Sequence, residues 1–261
     1  MNNYQYQRQA WLGFYTLVRR EITRFMRIWT QTLLPSPITI TLYFVIFGNL
    51  IGSRIGTMDG YDYIAFIAPG LIMMAIINNA FANVVASFYG ARFQRNIEEM
   101  LVAPLSNCTI LMGFLVGGIV RGLLVALIVT AVALFFTDIY ISHFLVVVFA
   151  ALLTAMLFSI IGFINGLYAK KFDDINIIPT FILLPLTYLG GIFYSIDLLP
   201  PFWRSLSMIN PIFYMINAFR YGMLGTSDVN LWVSMTFLCV CIITLFTFTL
   251  HLMNKGVGLK Q

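Results

Sequence analysis

Ten acidic residues, two histidines and three cysteines are the carboxylate, imidazole and thiol groups of this 261-residue chain, and their spacing builds no metal or catalytic centre. His143 and His251 stand 108 residues apart without neighbouring ligands, so no metal site is expected. Cys108, Cys239 and Cys241 are odd in number, lie in or beside apolar stretches, and imply no disulfide framework. No Gly-x-x-x-x-Gly-Lys-[Ser/Thr] phosphate loop occurs, and no acid stands ready to hold magnesium or orient water. The chain is therefore expected to bind no cofactor and to hydrolyse no ATP by itself. Asp173-Asp174 beside Lys170-Lys171 is the only cluster that could serve an integral membrane enzyme acting on lipid, and a solvated turn explains it better.

Polar groups set within apolar stretches are the more telling candidates. Asn79 and Asn83, four residues apart, share one helix face and could either bind neighbouring helices or line a polar path. Arg121 is the one charge inside such a stretch. A central arginine costs about 2.5–3.5 kcal/mol, which points to an anionic substrate or a gate unless the side chain snorkels to the interface. Acidic residues are absent from every one of these stretches. Ion-coupled secondary transporters commonly carry them there, so that class is the second reading, and the driving energy is expected to come from outside the chain.

The elements that must hold these groups are helices in a membrane. Hydrophobic residues make up 60% of the chain and charged residues 10%, against roughly 25% charged in soluble domains. Six apolar stretches, 32–52, 63–90, 108–136, 144–168, 176–195 and 229–253, approach or exceed the roughly 20 residues a spanning helix needs. Runs such as 123–136 are apolar throughout, which excludes the alternation of a β-barrel. The expected fold is an all-α integral membrane protein of six spans, one domain over 1–261. With the N-terminus in the cytoplasm, eleven basic residues fall inside and three (Arg54, Arg204, Arg220) outside, leaving Arg121 within a span. Both termini are then cytoplasmic. The net charge of +5 serves topology and anionic lipid, and requires no nucleic acid.

Three further segments stand out. Residues 11–29 form a basic amphipathic pattern, with Trp11, Phe14, Tyr15, Val18, Ile22, Phe25, Met26 and Trp29 on the apolar side, expected to lie flat at the cytoplasmic interface. Loop 91–107 contains a short helix ended near Pro104, in which Asn96 and Glu99 have capping-box spacing and Ile97, Met100 and Leu101 form an apolar face suited to docking. Gly113/Gly117, Gly118/Gly122 and Gly162/Gly166 are small-xxx-small pairs that let helices approach closely.

Residues 95–104 resemble the cytoplasmic coupling helix of permease subunits of type-2 ATP-binding-cassette (ABC) exporters. Glu98, Leu101 and Pro104 fit, while Arg95 and Asn96 occupy slots where that family often has Gly-Thr. Leu183, Leu186, Leu189-Gly190, Ile192, Leu199-Pro200, Pro211-Ile212-Phe213-Tyr214 and Arg220 fit the family's signature position by position. The motifs at 47–52, 172–174 and 188–195 look similar to the YadH-like inner-membrane transport permeases. The resemblance implies a permease that moves an amphipathic substrate (drug, lipid or polysaccharide) outward across the cell inner membrane. It implies a second permease copy, two ATP-binding subunits carrying ATP and Mg, and a re-entrant outer segment over 198–223. Contact with the ATPase would fall to Gln94, Arg95, Asn96, Ile97, Glu98, Glu99, Leu101 and Pro104. The pathway or gate would draw on Asn79, Asn83, Arg121, Tyr188, Pro211, Tyr214 and Arg220.

Overall fold

The computed structural model describes residues 3–103 and 105–259, and these are mostly helical. Helix α1 (Asn3–Arg27) stops at Ile28, whose φ of −114° and ψ of 39° break the helical path. Helix α2 (Trp29–Ile55) follows. It is interrupted at Leu33-Leu34, just before Pro35 and Pro37, whose missing amide protons remove two helical hydrogen bonds. Its second half widens into a π-helix over Phe44–Ile51. A two-stranded hairpin pairs β1 (Thr57–Met58) with β2 (Tyr61–Asp62), Thr57 opposite Asp62. Its tip, Asp59-Gly60, takes positive φ at both residues, as a tight type I′ turn demands.

The hairpin delivers the chain to α3 (Tyr63–Phe93), which is buried along nearly its whole length. Then come α4 (Asn96–Val102), α5 (Asn107–Ala133), α6 (Phe144–Tyr168), α7 (Asp174–Leu189), α8 (Pro201–Ile209), α9 (Pro211–Leu224) and α10 (Leu231–Asn254). Side chains of Ser106, Asn210 and Asn230 accept backbone N–H groups at the starts of α5, α9 and α10, closing orphan donors that these helices would otherwise expose.

Helix α3 is the hub, packed on α6, α5 and α9. Glycine sets the closeness of the contacts with α6 and α5. A Cβ at Gly162 of α6 would lie 2.6 Å from the Phe81 carbonyl oxygen, and one at Gly122 of α5 would lie 3.2 Å from Ala80. Gly113 and Gly117, one turn apart on α5, face Leu17 and Glu21 of α1 instead. The small-residue pairs therefore serve packing within the chain, on two faces of α5.

Among the described residues five helices, α2, α3, α5, α6 and α10, are long and apolar enough to cross a membrane. The stretch expected to span at 176–195 differs. Helix α7 ends at Leu189, because Gly190-Gly191 turns the chain and Gly191 takes φ +77°. At 1.5 Å per residue its 16 residues reach about 24 Å, short of a hydrocarbon layer of about 30 Å. Helix α1 runs beside α5, with Leu17 and Phe25 buried, where Gly113 and Gly117 open a groove for it.

The glycine contacts yield a direct test. Gly162→Ala should cost about 1–3 kcal/mol of stability by overpacking against backbone. Gly90→Ala, where a Cβ meets nothing within 4 Å, should be neutral or slightly stabilising. Thermal unfolding of the two variants in the same detergent compares them directly.

Candidate functional site

The two ends of the bundle differ in charge. At one end gather α1, the end of α3, α4, the start of α5, the end of α6 and the end of α10, with most of the arginines and lysines. At the other lie the β-hairpin, the start of α6 and the end of α9, tied together where the Ser142 and His143 amides donate to Met223 and Gly222.

At the basic end, Arg95 takes φ 60° and ψ 9°, a left-handed conformation that swings the chain out of α3 and straight into α4. Asn96 is thus the first residue of the helix, not its cap, and its side chain donates to Gln94 Oε1 at 3.1 Å. The expected capping box does not form. Nor does α4 present its apolar residues outward. Ile97 and Met100 are buried in the core and Leu101 is half-buried, while Glu98, Glu99 and Val102 are exposed. The helix is anchored by its apolar side and offers two carboxylates and one valine. Pro104 lies outside the described residues.

Inside the bundle, α3 carries a ladder of polar contacts. Arg121 of α5 donates to Asn79 Oδ1 at 3.2 Å and to the Thr32 carbonyl at 2.9 Å. Asn79 in turn donates to Ser36 Oγ at 2.8 Å. One turn further along α3, Asn83 accepts from Arg24 of α1, through its side chain at 2.8 Å and its carbonyl at 3.2 Å. Arg24 and Arg20 hold Glu21, which is 1% exposed. At the end of α3, buried Arg92 donates to the carbonyls of Gly166, Leu167 and Ala169, capping α6. Arg121 therefore binds protein at mid-helix and does not snorkel. The sequence reading named Asn79, Asn83 and Arg121, which the structure brings together. It missed Glu21, Arg24, Thr32 and Ser36. Leu17, Glu21 and Phe25 recur every four residues, so the signal for a buried Glu21 was its place on the apolar stripe of α1.

Toward the other end, α8 and α9 form a helical hairpin whose bend, Asn210, donates to the Leu186 carbonyl of α7. Pro211 opens α9, where its missing N–H costs nothing. Tyr214 donates to the Met208 carbonyl and packs against Phe237, ring centroids 4.6 Å apart. Arg220 is 1% exposed; it donates to the Gly191 carbonyl at 2.6 Å, lies 4.0 Å from the Phe66 ring centre, and faces Asp228 at 3.9 Å. Burial raises the Asp59 carboxyl above its ordinary value, as do nearby Asp228 and Asp197, with Arg220 opposing. Tyr188 meets Tyr43 of α2, hydroxyl to hydroxyl at 3.3 Å, beside Phe193 and Phe47, whose rings stack at 4.4 Å. The seven pathway candidates thus fall into two groups, one near mid-bundle and one toward the end that holds the β-hairpin.

The Asp173-Asp174 cluster has a structural explanation. Asp174 accepts the backbone N–H groups of Lys170 and Lys171 at 2.8 and 3.0 Å, closing the turn between α6 and α7. These bonds hold its carboxyl below the usual range. Among the described residues no group of three or more His, Cys, Asp or Glu is placed to hold a metal ion.

A bundle of apolar helices long enough to cross a membrane is the build of an integral membrane protein. The chain belongs to the ABC-2 type transporter family, whose model matches residues 13–224. It is 54% identical over 251 residues to the inner membrane transport permease YadH of Escherichia coli strain K12, covering 96% of this chain and 98% of that protein. It is also 24% identical over 218 residues to Nodulation protein J of Rhizobium leguminosarum bv. viciae, covering 82% and 83%. Membership implies an ABC ATPase subunit as partner.

Two substitutions probe this geometry. Arg95→Gly should relieve a left-handed residue and stabilise the α3–α4 turn by about 1 kcal/mol, whereas Arg95→Val should destabilise it. Arg220→Met should cost about 3–5 kcal/mol by leaving Asp228 buried without its cation, and adding Asp228→Asn should recover part of the loss. Unfolding midpoints of these variants in detergent give both answers.

Proposed function

We propose that this chain is the membrane-spanning permease of an ABC exporter, moving an amphipathic substrate outward under the power of a separate ATPase. The observation that carries this reading is α4. It is a short helix held to the core by Ile97 and Met100, presenting Glu98, Glu99 and Val102 at the basic end, where a soluble subunit can press on it. A loop that only reconnects α3 and α5 needs neither the left-handed turn nor the anchored acidic face.

In this reading the chain is one membrane domain over 1–261 that crosses the inner membrane six times, through α2, α3, α5, α6, α7 and α10. The basic end and both termini face the cytoplasm, in keeping with the positive-inside bias. Helix α7 is too short to cross unaided, and the α8–α9 hairpin completes the outer half as a re-entrant segment covered by protein. Two copies of the chain, as a homodimer, enclose the pathway, and two ATPase subunits bind ATP and Mg beneath them. Residues 94–101 with Pro104 receive the ATPase. Asn79, Asn83 and Arg121 set the inner part of the path or the packing that moves with it, and Tyr188, Pro211, Tyr214 and Arg220 its outer gate. The tyrosine and phenylalanine cluster around Tyr43 and Tyr188 supports an amphipathic cargo, since such rings offer both apolar faces and hydroxyl groups.

The test is cross-linking. With the three native cysteines replaced, Glu98→Cys in the solubilised chain should capture a P-loop ATPase from membranes, and adding Leu101→Arg should abolish capture. Recovery of no ATPase, with an ion gradient alone driving uptake in liposomes, would favour the ion-coupled reading instead.

A further inference from the structure

A groove of about 670 Å³ separates α1 from the inner end of α3, bordered by Gln94 and Asn96 at the root of α4. Arg19, Arg20, Arg24 and Arg27 line its α1 wall. The opposite wall is built of small residues, and at Gly90 an added Cβ would meet nothing within 4 Å. One carboxylate, Glu21, stands among the four guanidinium groups, and Arg20 and Arg24 already hold it. Arg19 and Arg27 pair with no carboxylate among the described residues. Arg24 Nε is buried without a hydrogen-bond partner. The groove therefore has unneutralised positive charge and room for a compact anion.

Its far end adds a second property. The groove closes at Arg27 and Ile28, where α2 begins. From there Leu34, Ile38, Leu42, Ile46 and Leu50 stand exposed at four-residue intervals, an apolar track leading away from the arginines. In the permease reading α2 is a span, so this track lies against hydrocarbon beside the charged groove. An anionic head joined to a hydrocarbon chain answers both.

We propose that the groove binds the phosphate headgroup of an amphiphile whose apolar chain lies along α2. Guanidinium groups suit the anion because their planar N–H forks match phosphate oxygens. That the occupant is cargo rather than a bilayer lipid rests on the permease reading; the binding does not.

The full-length chain in neutral detergent, titrated with dioleoyl phosphatidic acid and followed by native mass spectrometry, tests this. One saturable site per chain is expected for phosphatidic acid, none for dioleoylglycerol, and competition by inorganic phosphate at millimolar concentration. Arg19→Ala with Arg27→Ala should weaken binding about thirtyfold. Gly90→Leu, which fills the groove without altering charge, should weaken it as well. Equal binding of dioleoylglycerol, or unchanged binding by both variants, overturns the proposal. Cross-linking through Glu98→Cys separates it from the permease reading. If the double arginine variant keeps ATPase capture and loses lipid, the site stands. If it loses capture and keeps lipid, the groove is a protein-docking surface and the proposal falls. In nanodiscs with the ATPase, stimulation of hydrolysis by phosphatidic acid marks the site as cargo-binding, and no change marks a resident lipid; either sustains the site.

Discussion

A polar atom inside hydrocarbon can bind only protein, and α3 is where this chain meets that constraint. Along one helix, Phe66 receives the guanidinium of Arg220, Asn79 that of Arg121, Asn83 that of Arg24, and Arg92 reaches out to cap α6. Each contact joins α3 to a different element: α9, α5, α1 and α6. Every arginine left unmatched at such depth would cost several kcal/mol, so the positions of these four helices around α3 are fixed by charge as well as by shape. Apolar packing alone would leave their register free, because lipid is as good a solvent for leucine as another helix is.

Glycine makes those polar contacts reachable. The Glu21 side chain lies against Gly117, and its neighbour Arg24 reaches Asn83 across the same gap. With a larger residue at Gly117, α1 would be pushed off α5 and Arg24 would lose its partner. The same economy explains why α1 is not simply a lipid anchor. Its exposed residues Trp11, Tyr15 and Met26 face outward, while Leu17, Glu21 and Phe25 face the bundle. The helix carries two stripes, and only the basic and aromatic one is conspicuous in sequence.

That division marks how much was legible beforehand. The long apolar helices were readable because length and continuous hydropathy register in the sequence itself, and the bounds of α6 match the expected 144–168. Asn79, Asn83 and Arg121 were conspicuous as polar residues in apolar surroundings. Their partners Thr32 and Ser36 were not, since a hydroxyl or carbonyl at the start of a span looks ordinary until the fold brings it to an arginine. The short helix at 96–102 was visible from Pro104 and its charge pattern, but its orientation was not. Ile97 and Met100 read as a docking face in the sequence, and tertiary packing buries them in the core instead. Helix α7 ends at Leu189, six residues before the expected 195, because hydropathy continues through Gly190-Gly191 while backbone geometry, with Gly191 at positive φ and its carbonyl held by Arg220, does not.

The same ladder limits how motion could travel. Helix α3 runs from the hairpin at one end to the Arg95 turn at the other with one proline, Pro69, inside it. A push on α4 through Glu98 and Glu99 would reach the core through Ile97 and Met100, which are buried against it, and not through the exposed face itself. From there the nearest polar joints are Arg92 to α6 and Arg24 to α1, both within the last three turns of α3. Displacing α3 along its axis would break these joints together, which is costly. Rocking it as a rod would preserve them and move the far end, where Arg220 ties Phe66 to α9 and to the Gly191 turn. A tilt of α3 with its arginines attached would carry the Gly191 turn and α9 along with α4 while the hydrogen bonds of the ladder stay made.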